Sequence, residues 1–398
     1  MAARRAMAAV ALLLAVGLGA SCGPSAPASP SGPAAAAAPA TAALVSAAGK
    51  ARLDDLVAQA RREGALDGNI RPGLGPVVPE LTDAFKRRFG LDFDVQLDTL
   101  STENDLYIKQ RAAMQTGAPP TLDGLSGPEN RNIEMIEGGF ATYVDGWEQL
   151  LAEVNPLVAS GQVKPEQVSP GPFSGQAFMW ATVAKALLYN PNLVAQADLP
   201  RTRADLANPK YRGKLATSNF IEAWQIGIRV YPKDEWLNVA DQVGQNAAAV
   251  LNLPESVNRI LLGQLPMADN NEYPYWQAKA KDPQAPIGIH WFADYTQVSS
   301  IFSMVPKGAR HPAAATLFAL WMTTPEAEAI YQRAVPYPNL AYGQSAISQE
   351  IRATLKQVGS PALTWYDTPE SLETFRWYGT REGQEYAAEL TKRLTQRR

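Results

Sequence analysis

The sequence has few of the residues on which most enzymes and metal sites depend. Its 398 residues include one cysteine, Cys22, and two histidines, His290 and His311. One cysteine cannot form an intramolecular disulfide, and so few sulfur and imidazole groups leave little material for His/Cys metal sites or for Ser-His and Cys-His catalysis. The chain also lacks a G-x-S-x-G elbow, a G-x-x-x-x-G-K-[ST] phosphate loop and an H-E-x-x-H zinc motif. We therefore expect no enzyme. A secreted hydrolase that uses two carboxylates is the alternative, because Asp and Glu total 39.

A strong net charge is absent as well. Lys and Arg total 36 against 39 acidic residues, which gives a net charge of -3 and no reason to expect a nucleic-acid partner. The hydrophobic content of 46% and the charged content of 19% are typical of a globular protein. Beyond the N-terminal region, roughly 350 residues remain, which is enough for two lobes of ordinary domain size.

The N-terminal region has the pattern of an export signal. Arg4 and Arg5 precede the apolar run "AMAAVALLLAVGLGAS", which ends at Cys22. Cys22 resembles the lipidated cysteine of bacterial lipoproteins, although Leu18 stands one place earlier than the usual leucine. We predict that residues 1–22 are a lipoprotein-type signal and membrane anchor, with ordinary cleavage as the alternative. The Ala/Pro/Ser tract at 23–49 is predicted to be a disordered tether, because it cannot bury enough apolar surface to fold.

The rest of the chain alternates helical and strand patterns, which predicts an α/β fold. Phe93, Val95 and Leu97 alternate with polar residues and indicate a strand, while "FMWATVAKALLY" at 178–189 indicates a buried strand. Thr324 and Thr368 each stand before Pro-Glu and predict the starts of two helices.

Four segments, in order, resemble bacterial extracellular solute-binding proteins of ABC importers, a family that includes ferric-iron, polyamine and thiamine binders. The segments are "LTDAFKRRFGLDFDV", "ALLYNPNLV", "LANPKYRGKLATS" and "MVPKGARHPAAATLFALWMTTPEAEAIY". The resemblance implies a two-lobed periplasmic-binding-protein fold with two crossing strands and a cleft between the lobes. It also implies capture of a small molecule or metal, delivery to an ABC permease and no cofactor, in a protein that is periplasmic or held on the outer face of the cytoplasmic membrane.

On this resemblance we expect the crossing strands near 178–189 and 290–305. Lobe one would then combine 51–177 with 306–398, and lobe two would be 178–305. Ligand contacts are expected where strands end and helices begin, or where aromatic side chains could form walls. A helix cap or a place in the core is the alternative role at each position. The ligand-binding candidates are Ser101, Thr102, Ser126, Ser218, Asn219, Asn271, Tyr273, Tyr275, Trp276 and Tyr295.

The segment "NNEYPYW" contains the most specific of these candidates. Ferric binders of the family carry two adjacent tyrosines at the apparently equivalent point, and Tyr273 and Tyr275 would be the metal ligands if ferric iron is the transported ligand. Here Pro274 separates them and favours an extended Tyr273, so that the two rings would point to opposite faces. Ferric iron and a small organic solute held by aromatic walls both remain open.

Overall fold

The computed structural model describes residues 45–218 and 220–396. The predicted signal, Cys22, most of the predicted tether and the candidate Asn219 lie outside the described residues. Over the two described ranges, no helix combines the length and the apolar character needed to span a bilayer.

The strands of the structure include the two that the sequence patterns predict, around 93–97 and at 178–189. Their bounds are β1 Ala65–Asn69, β2 Asp94–Asp98, β3 Leu125–Pro128, β4 Ala177–Tyr189, β5 Leu215–Thr217, β6 Ala247–Val250, β7 Met267–Asn271, β8 Gly288–His290, β9 Thr296–Met304 and β10 Ala362–Leu363.

Helices separate most of these strands. Their bounds are α1 Ala47–Glu63, α2 Val78–Phe89, α3 Glu103–Gln115, α4 Glu129–Glu137, α5 Trp147–Val154, α6 Pro156–Ala159, α7 Pro165–Val168, α8 Glu222–Gln225, α9 Lys233–Asn246, α10 Leu253–Leu261, α11 Tyr273–Lys281, α12 Pro312–Met322, α13 Pro325–Ala334, α14 Ala346–Val358, α15 Pro369–Tyr378 and α16 Arg381–Thr395.

Local capping fixes several helix starts. Thr102, Thr324 and Thr368 are the N-caps of α3, α13 and α15, and each hydroxyl accepts a hydrogen bond from the backbone N–H three residues later. The two Thr-Pro-Glu starts predicted from the sequence are therefore confirmed. Gly64 ends α1 in the left-handed conformation, with φ of 72°, which glycine adopts without a steric penalty.

The sheet is mixed in direction. β1 and β2 pair in parallel, and a larger sheet has the order β10-β9-β4-β7-β5-β6, with β3 added at β9 and β8 at β4. β4 and β9 pair antiparallel over most of their length, and all of their residues are buried. They lie at the two places where crossing strands are expected, although β9 starts only at Thr296.

Two separate regions of the core lie at the two ends of β4. The first is built around Trp180, Phe302 and Trp321 and is called lobe one here. The second is built around Trp224 and Trp236, with a smaller cluster on the other side of its sheet, and is called lobe two.

The C-terminal helix α16 lies on lobe two rather than on lobe one, where the sequence analysis placed all of 306–398. Its side chains Leu390 and Leu394 are buried in the core of lobe two, and Thr217 Oγ1 donates a hydrogen bond to the carbonyl of Leu394. The reason is the apolar face of α16, which covers α9. In the C-terminal region, the first core takes buried side chains as far as Tyr342, and Tyr366, Leu372 and Phe375 pack against it.

Candidate ligand-binding cleft

A cavity of about 300 Å³ opens at the crossing strands between the two lobes. Lobe one contributes the loop after β1 and the start of α3, whereas lobe two contributes the segment after β5 and the start of α11. Such a volume is at the lower end of the range for small-molecule sites, about 300–1,000 Å³. The cavity is lined by Arg71, Pro72, Thr102, Glu103, Asn104, Pro128, Val183, Lys185, Phe220, Glu222, Asn271, Tyr273, Ser299 and Tyr337.

Lys185 is the cation at the floor of this cavity. It lies in the middle of the buried strand β4, and only 3% of its surface is exposed. Its Nζ donates a hydrogen bond to Asn271 Oδ1 at 2.6 Å and lies 4.1 Å from the centroid of the Phe220 ring. Burial lowers the pKa of Lys185 to about 8, against the opposing effect of nearby carboxylates such as Glu222. An ammonium has three N–H donors, so Lys185 can donate further hydrogen bonds to a ligand.

Glu222 is the facing anion, at the first position of the short helix α8. Within 45–218 and 220–396, its carboxylate accepts no hydrogen bond, and no ion pair joins it to Lys185. Burial raises the pKa of Glu222, while Lys185, Arg71 and Arg131 act in the opposite direction. The carboxylate can therefore accept hydrogen bonds from a ligand.

The other two charged groups of the cavity already neutralise each other. Arg71 Nε lies 3.2 Å from Glu103 Oε1, and its guanidinium carbon lies 5.3 Å from the centroid of Tyr337. Both side chains of the ion pair are largely buried. This pair forms one charge-neutral wall. Of the charged side chains that line the cavity, Lys185 and Glu222 are therefore the two that can pair with charged groups of a ligand.

Aromatic rings form much of the remaining wall. Tyr273 and Tyr337 pack edge to face with centroids 5.1 Å apart, and Phe220 is 45% exposed. Burial raises the pKa of Tyr337 to about 12, despite the neighbouring Arg71. This phenol therefore stays protonated at neutral pH.

Glu272 lies directly behind the cavity and is fully buried. Its Oε2 accepts a hydrogen bond from the backbone N–H of Ala184 at 2.8 Å, while its Oε1 has no partner among the residues described. Burial raises the pKa of Glu272 to about 8, because the hydrogen bond from Ala184 and the charges of Lys185 and Arg71 offset only part of the cost of desolvation.

Three of the residues singled out from the sequence line the cavity, namely Thr102, Asn271 and Tyr273. Thr102 is also the N-cap of α3. Ser101 and Ser218 lie close in sequence to cavity residues but do not line it, and the Ser218 hydroxyl accepts a hydrogen bond from the backbone of Phe220.

Ser126 and Tyr295 have structural contacts instead. Ser126 is buried in lobe one, where its Oγ accepts a hydrogen bond from Trp180 Nε1 at 3.2 Å. Tyr295 is fully buried in lobe two, and its hydroxyl donates to the carbonyl of Ala223 at 2.8 Å. Neither side chain reaches the cavity, because each lies in the core of a single lobe.

The segment after Asn271 is helical, which corrects the expectation of an extended Tyr273. Tyr273 is the first residue of α11, and Pro274 is tolerated at the second position because that N–H has no partner within a helix. The helical turn directs Tyr275 into the smaller cluster of lobe two and Trp276 toward α14, so that neither lines the cavity with Tyr273. The proposed metal pair, Tyr273 and Tyr275, therefore does not share one cavity.

Sequence reasoning missed the charged residues of the site. Lys185 carried a usable signal, because a lysine within an otherwise apolar buried strand must have a polar partner or a ligand. Arg71 follows β1 in a Gly/Pro-containing loop, and no sequence pattern there indicates a ligand-binding cation. Tyr337 gave no signal, since it reaches the cavity from a segment outside any regular element.

Another group of polar side chains lies in lobe one, where Asp67, Asp123 and His311 have ligand-type atoms within 4.8 Å of one another. Both oxygens of Asp123 already accept hydrogen bonds, from the backbone of Arg310 and His311 and from the backbone of Asp67. His311 Nδ1 lies 2.7 Å from Asp123 Oδ2. These contacts hold the loop before α12 in place, and they account for the cluster without a metal.

Residues 80–345, about two thirds of the chain, match the family model described as bacterial extracellular solute-binding protein. The chain belongs to this family. The resemblance predicted from four short segments is thus confirmed over their whole length. No curated protein sequence matches the chain.

Solved structures of extracellular solute-binding proteins are similar to the chain over nearly their full length. Iron-bound HitA from Pseudomonas aeruginosa is 18% identical, with a TM-score of 0.61, and the match covers 79% of this chain and 99% of that chain. AgtB from A. tumefaciens R10 in complex with agropinic acid is 16% identical, with a TM-score of 0.56 and coverage of 84% and 99%.

The spermidine/putrescine substrate-binding protein PotD from Streptococcus pneumoniae is 14% identical, with a TM-score of 0.58 and coverage of 81% and 99%. At such low identity these structures establish the fold alone. The predicted two-lobed binding-protein fold is confirmed, and the ligands of the three structures differ from one another.

Proposed function

We propose that the cleft binds a small zwitterionic organic solute, in which an acidic group and an amine or quaternary ammonium group are a few bonds apart. The observation that carries this proposal is the presence of Lys185 and Glu222 in one cavity without an ion pair between them. Lys185 would donate to the acidic group, with Asn271 beside it. Glu222 would accept from the amine or face the quaternary ammonium, which Phe220 and Tyr273 would also contact.

Ferric iron is supported less well. It would need phenolates, but Tyr275 lies outside the cavity, which leaves Tyr273 and Tyr337 as the phenols of its wall. A trivalent cation would also be repelled by the buried Lys185 at the cavity floor. An organic solute makes use of both free charges and of the aromatic walls.

A thermal-shift screen tests the proposal. The panel contains amino acids, betaine and carnitine as zwitterions, spermidine and thiamine as cations, dicarboxylates as anions, and ferric citrate. We expect stabilisation by a zwitterion, since ligand at about 100 times its Kd contributes about 2.7 kcal/mol to the free energy of unfolding. Glu222→Gln keeps the shape of the side chain but removes its charge, and we expect it to abolish most of this shift.

Two outcomes would overturn the proposal. One is stabilisation by ferric citrate that Tyr337→Phe removes and Glu222→Gln leaves intact. The other is turnover of any panel compound, which would favour the carboxylate-dependent hydrolase, with Glu103 and Glu222 as the acidic residues of the cavity. Glu373→Gln, an exposed change on α15 outside the cavity lining, is the matched control and should not affect the thermal shift.

We further propose that the protein acts without catalysis and passes its solute to an ABC permease. The basic and apolar N-terminal sequence supports export, and the position of Cys22 supports lipidation there, with 23–49 as the tether. Metabolic labelling with a radioactive fatty acid, which Cys22→Ser should abolish, checks the anchor.

We also propose that 51–177, together with about 306–358, moves as lobe one against the rest of the folded chain.

A further inference from the structure

The crossing strands β4 and β9 have two different faces. Val183, Lys185 and Ser299 line the cavity. Side chains alternate along a strand, so that Ala184 and Val298 point to the opposite face. There they belong to a small apolar cluster, called the hinge-back cluster. Its buried residues are Ala184, Ala186, Trp291, Val298, Ile351 and Leu355, and Trp276, Ile289, Leu340 and Ile347 pack against them.

The hinge-back cluster joins elements of both lobes. Trp276 lies on α11, directly after a strand of lobe two, and Ile351 and Leu355 lie on α14. Helix α14 is tied to lobe one, because Arg352 donates to the carbonyl of Asn339 at 3.0 Å and the Asn339 amide donates to the carbonyl of Trp180 at 3.3 Å. The cluster against which Trp276 packs therefore joins the two lobes on the side away from the cavity. Helix α11 also reaches lobe one through the Tyr273–Tyr337 ring contact and through Gln277, which donates to the carbonyl of Ala334 at 3.3 Å.

Trp276 is also held imperfectly. Its Nε1 is buried, and the described part of the chain offers it no acceptor. The apolar ring favours this contact, whereas the indole N–H would gain a hydrogen bond if the contact opened to water. Because these two contributions oppose each other, breaking the contact costs little free energy. A contact that opens and closes between two lobes requires such a small cost.

We propose that the hinge-back cluster opposes closure of the cleft and that Trp276 sets the equilibrium between the open and the closed protein. The cavity and the cluster lie on opposite faces of the same two strands. A rotation about these strands that brings the cavity walls together must move α11 and α14 apart on the other face. Apolar contact at the back thus stabilises the open state, whatever solute the cleft takes.

This arrangement makes Trp276 a determinant of affinity that never touches the ligand. If only the closed state holds the ligand fully, the apparent Kd equals the intrinsic Kd divided by the closed fraction. Removal of the Trp276 ring should raise the ratio of closed to open molecules roughly tenfold, a change that corresponds to about 1.4 kcal/mol.

The distance between the lobes in the ligand-free protein tests this inference. Spin labels are placed at Asp105→Cys on α3 and Phe220→Cys in lobe two, both exposed, in the full chain with Cys22→Ser. Double electron–electron resonance then measures the distance between the two labels, both in this background and in the same background with Trp276→Ala. We expect Trp276→Ala to shift the distance distribution toward shorter values, and Leu355→Ala to do the same from lobe one.

The matched control is Leu261→Ala, which removes apolar contact from the smaller cluster of lobe two without touching α14. It should leave the distances unchanged. Circular dichroism confirms that each variant is folded. An unchanged or longer distance in both folded variants, Trp276→Ala and Leu355→Ala, would overturn the inference. Unfolding, dialysis and refolding remove any co-purified solute before the measurement, so this result is independent of the solute proposed above.

Discussion

The two faces of the crossing strands β4 and β9 differ in chemical character. One face presents Lys185 and Ser299 to the cavity, and the other presents Ala184, Ala186 and Val298 to an apolar cluster. Neighbouring residues of one strand therefore have separate tasks. The side chains on one face of the strand contact the ligand cavity, and the side chains on the other face form the contact between the lobes at the back.

The largest expected effect comes from removing the charge of the cavity face. Lys185→Met keeps the length of the side chain but removes its hydrogen-bond donors. We expect the Kd of the stabilising zwitterion, measured by isothermal titration calorimetry, to rise about 10- to 100-fold, because a hydrogen bond to a charged group contributes about 1.5–3 kcal/mol. Lys214→Met, at an exposed position of lobe two, is the control. Equal affinities of the wild type and Lys185→Met would contradict the assignment of the acidic group to this lysine.

A second prediction concerns stability rather than affinity, at Glu272, which accepts a hydrogen bond from the backbone of Ala184 between the two faces. Burial raises its pKa to about 8, from an ordinary value of 4.5. The stability that the neutral carboxyl provides is therefore complete below pH 4.5 and is lost as the pH rises through 8. Glu272→Gln cannot ionise, so its free energy of unfolding should increase relative to the wild type by about 1.4 kcal/mol per pH unit between pH 5 and 8 and then level off.

Urea denaturation at several pH values measures this difference. Glu350→Gln, an exposed change on α14, should show no such dependence. A constant difference between Glu272→Gln and the wild type would mean that Glu272 is already ionised in the folded protein at pH 5.

The smallest effect is expected at Tyr275. Its ring packs in lobe two against Trp276 and outside the cavity, so Tyr275→Phe should leave the Kd of the zwitterion unchanged within twofold. The same titration measures it. A large loss of affinity in Tyr275→Phe would restore the tyrosine pair as a ligand set and would weaken the distinction between the two faces.

The sequence predicted the fold better than the site, for physical reasons that particular residues show. The strand at 178–189, the Thr-Pro helix starts and the family resemblance depend on local patterns, and the structure and the family match confirm them. The cavity instead joins Arg71, Lys185, Glu222 and Tyr337, which are far apart in the sequence. No local pattern indicates that such residues meet.

The segment around Pro274 shows a second limit. The residue before a proline usually avoids the helical conformation, and this preference predicted an extended Tyr273. In the structure the tertiary contacts of Tyr273 with Tyr337 and of Trp276 with the hinge-back cluster accompany a helix that starts at Tyr273. These tertiary contacts outweigh the conformational preference of the residue before proline. The resulting helical turn directs the rings of Tyr273 and Tyr275 to different places.

Identification of the solute that the protein carries when purified without refolding tests the central claim most directly. Native mass spectrometry would give its mass, and a crystal structure of the same sample would give its orientation. We predict an organic zwitterion with its acidic group within hydrogen-bond distance of Lys185 and its amine or ammonium group facing Glu222. A ferric ion coordinated by tyrosine oxygens, or a solute that contacts neither Lys185 nor Glu222, would contradict the account.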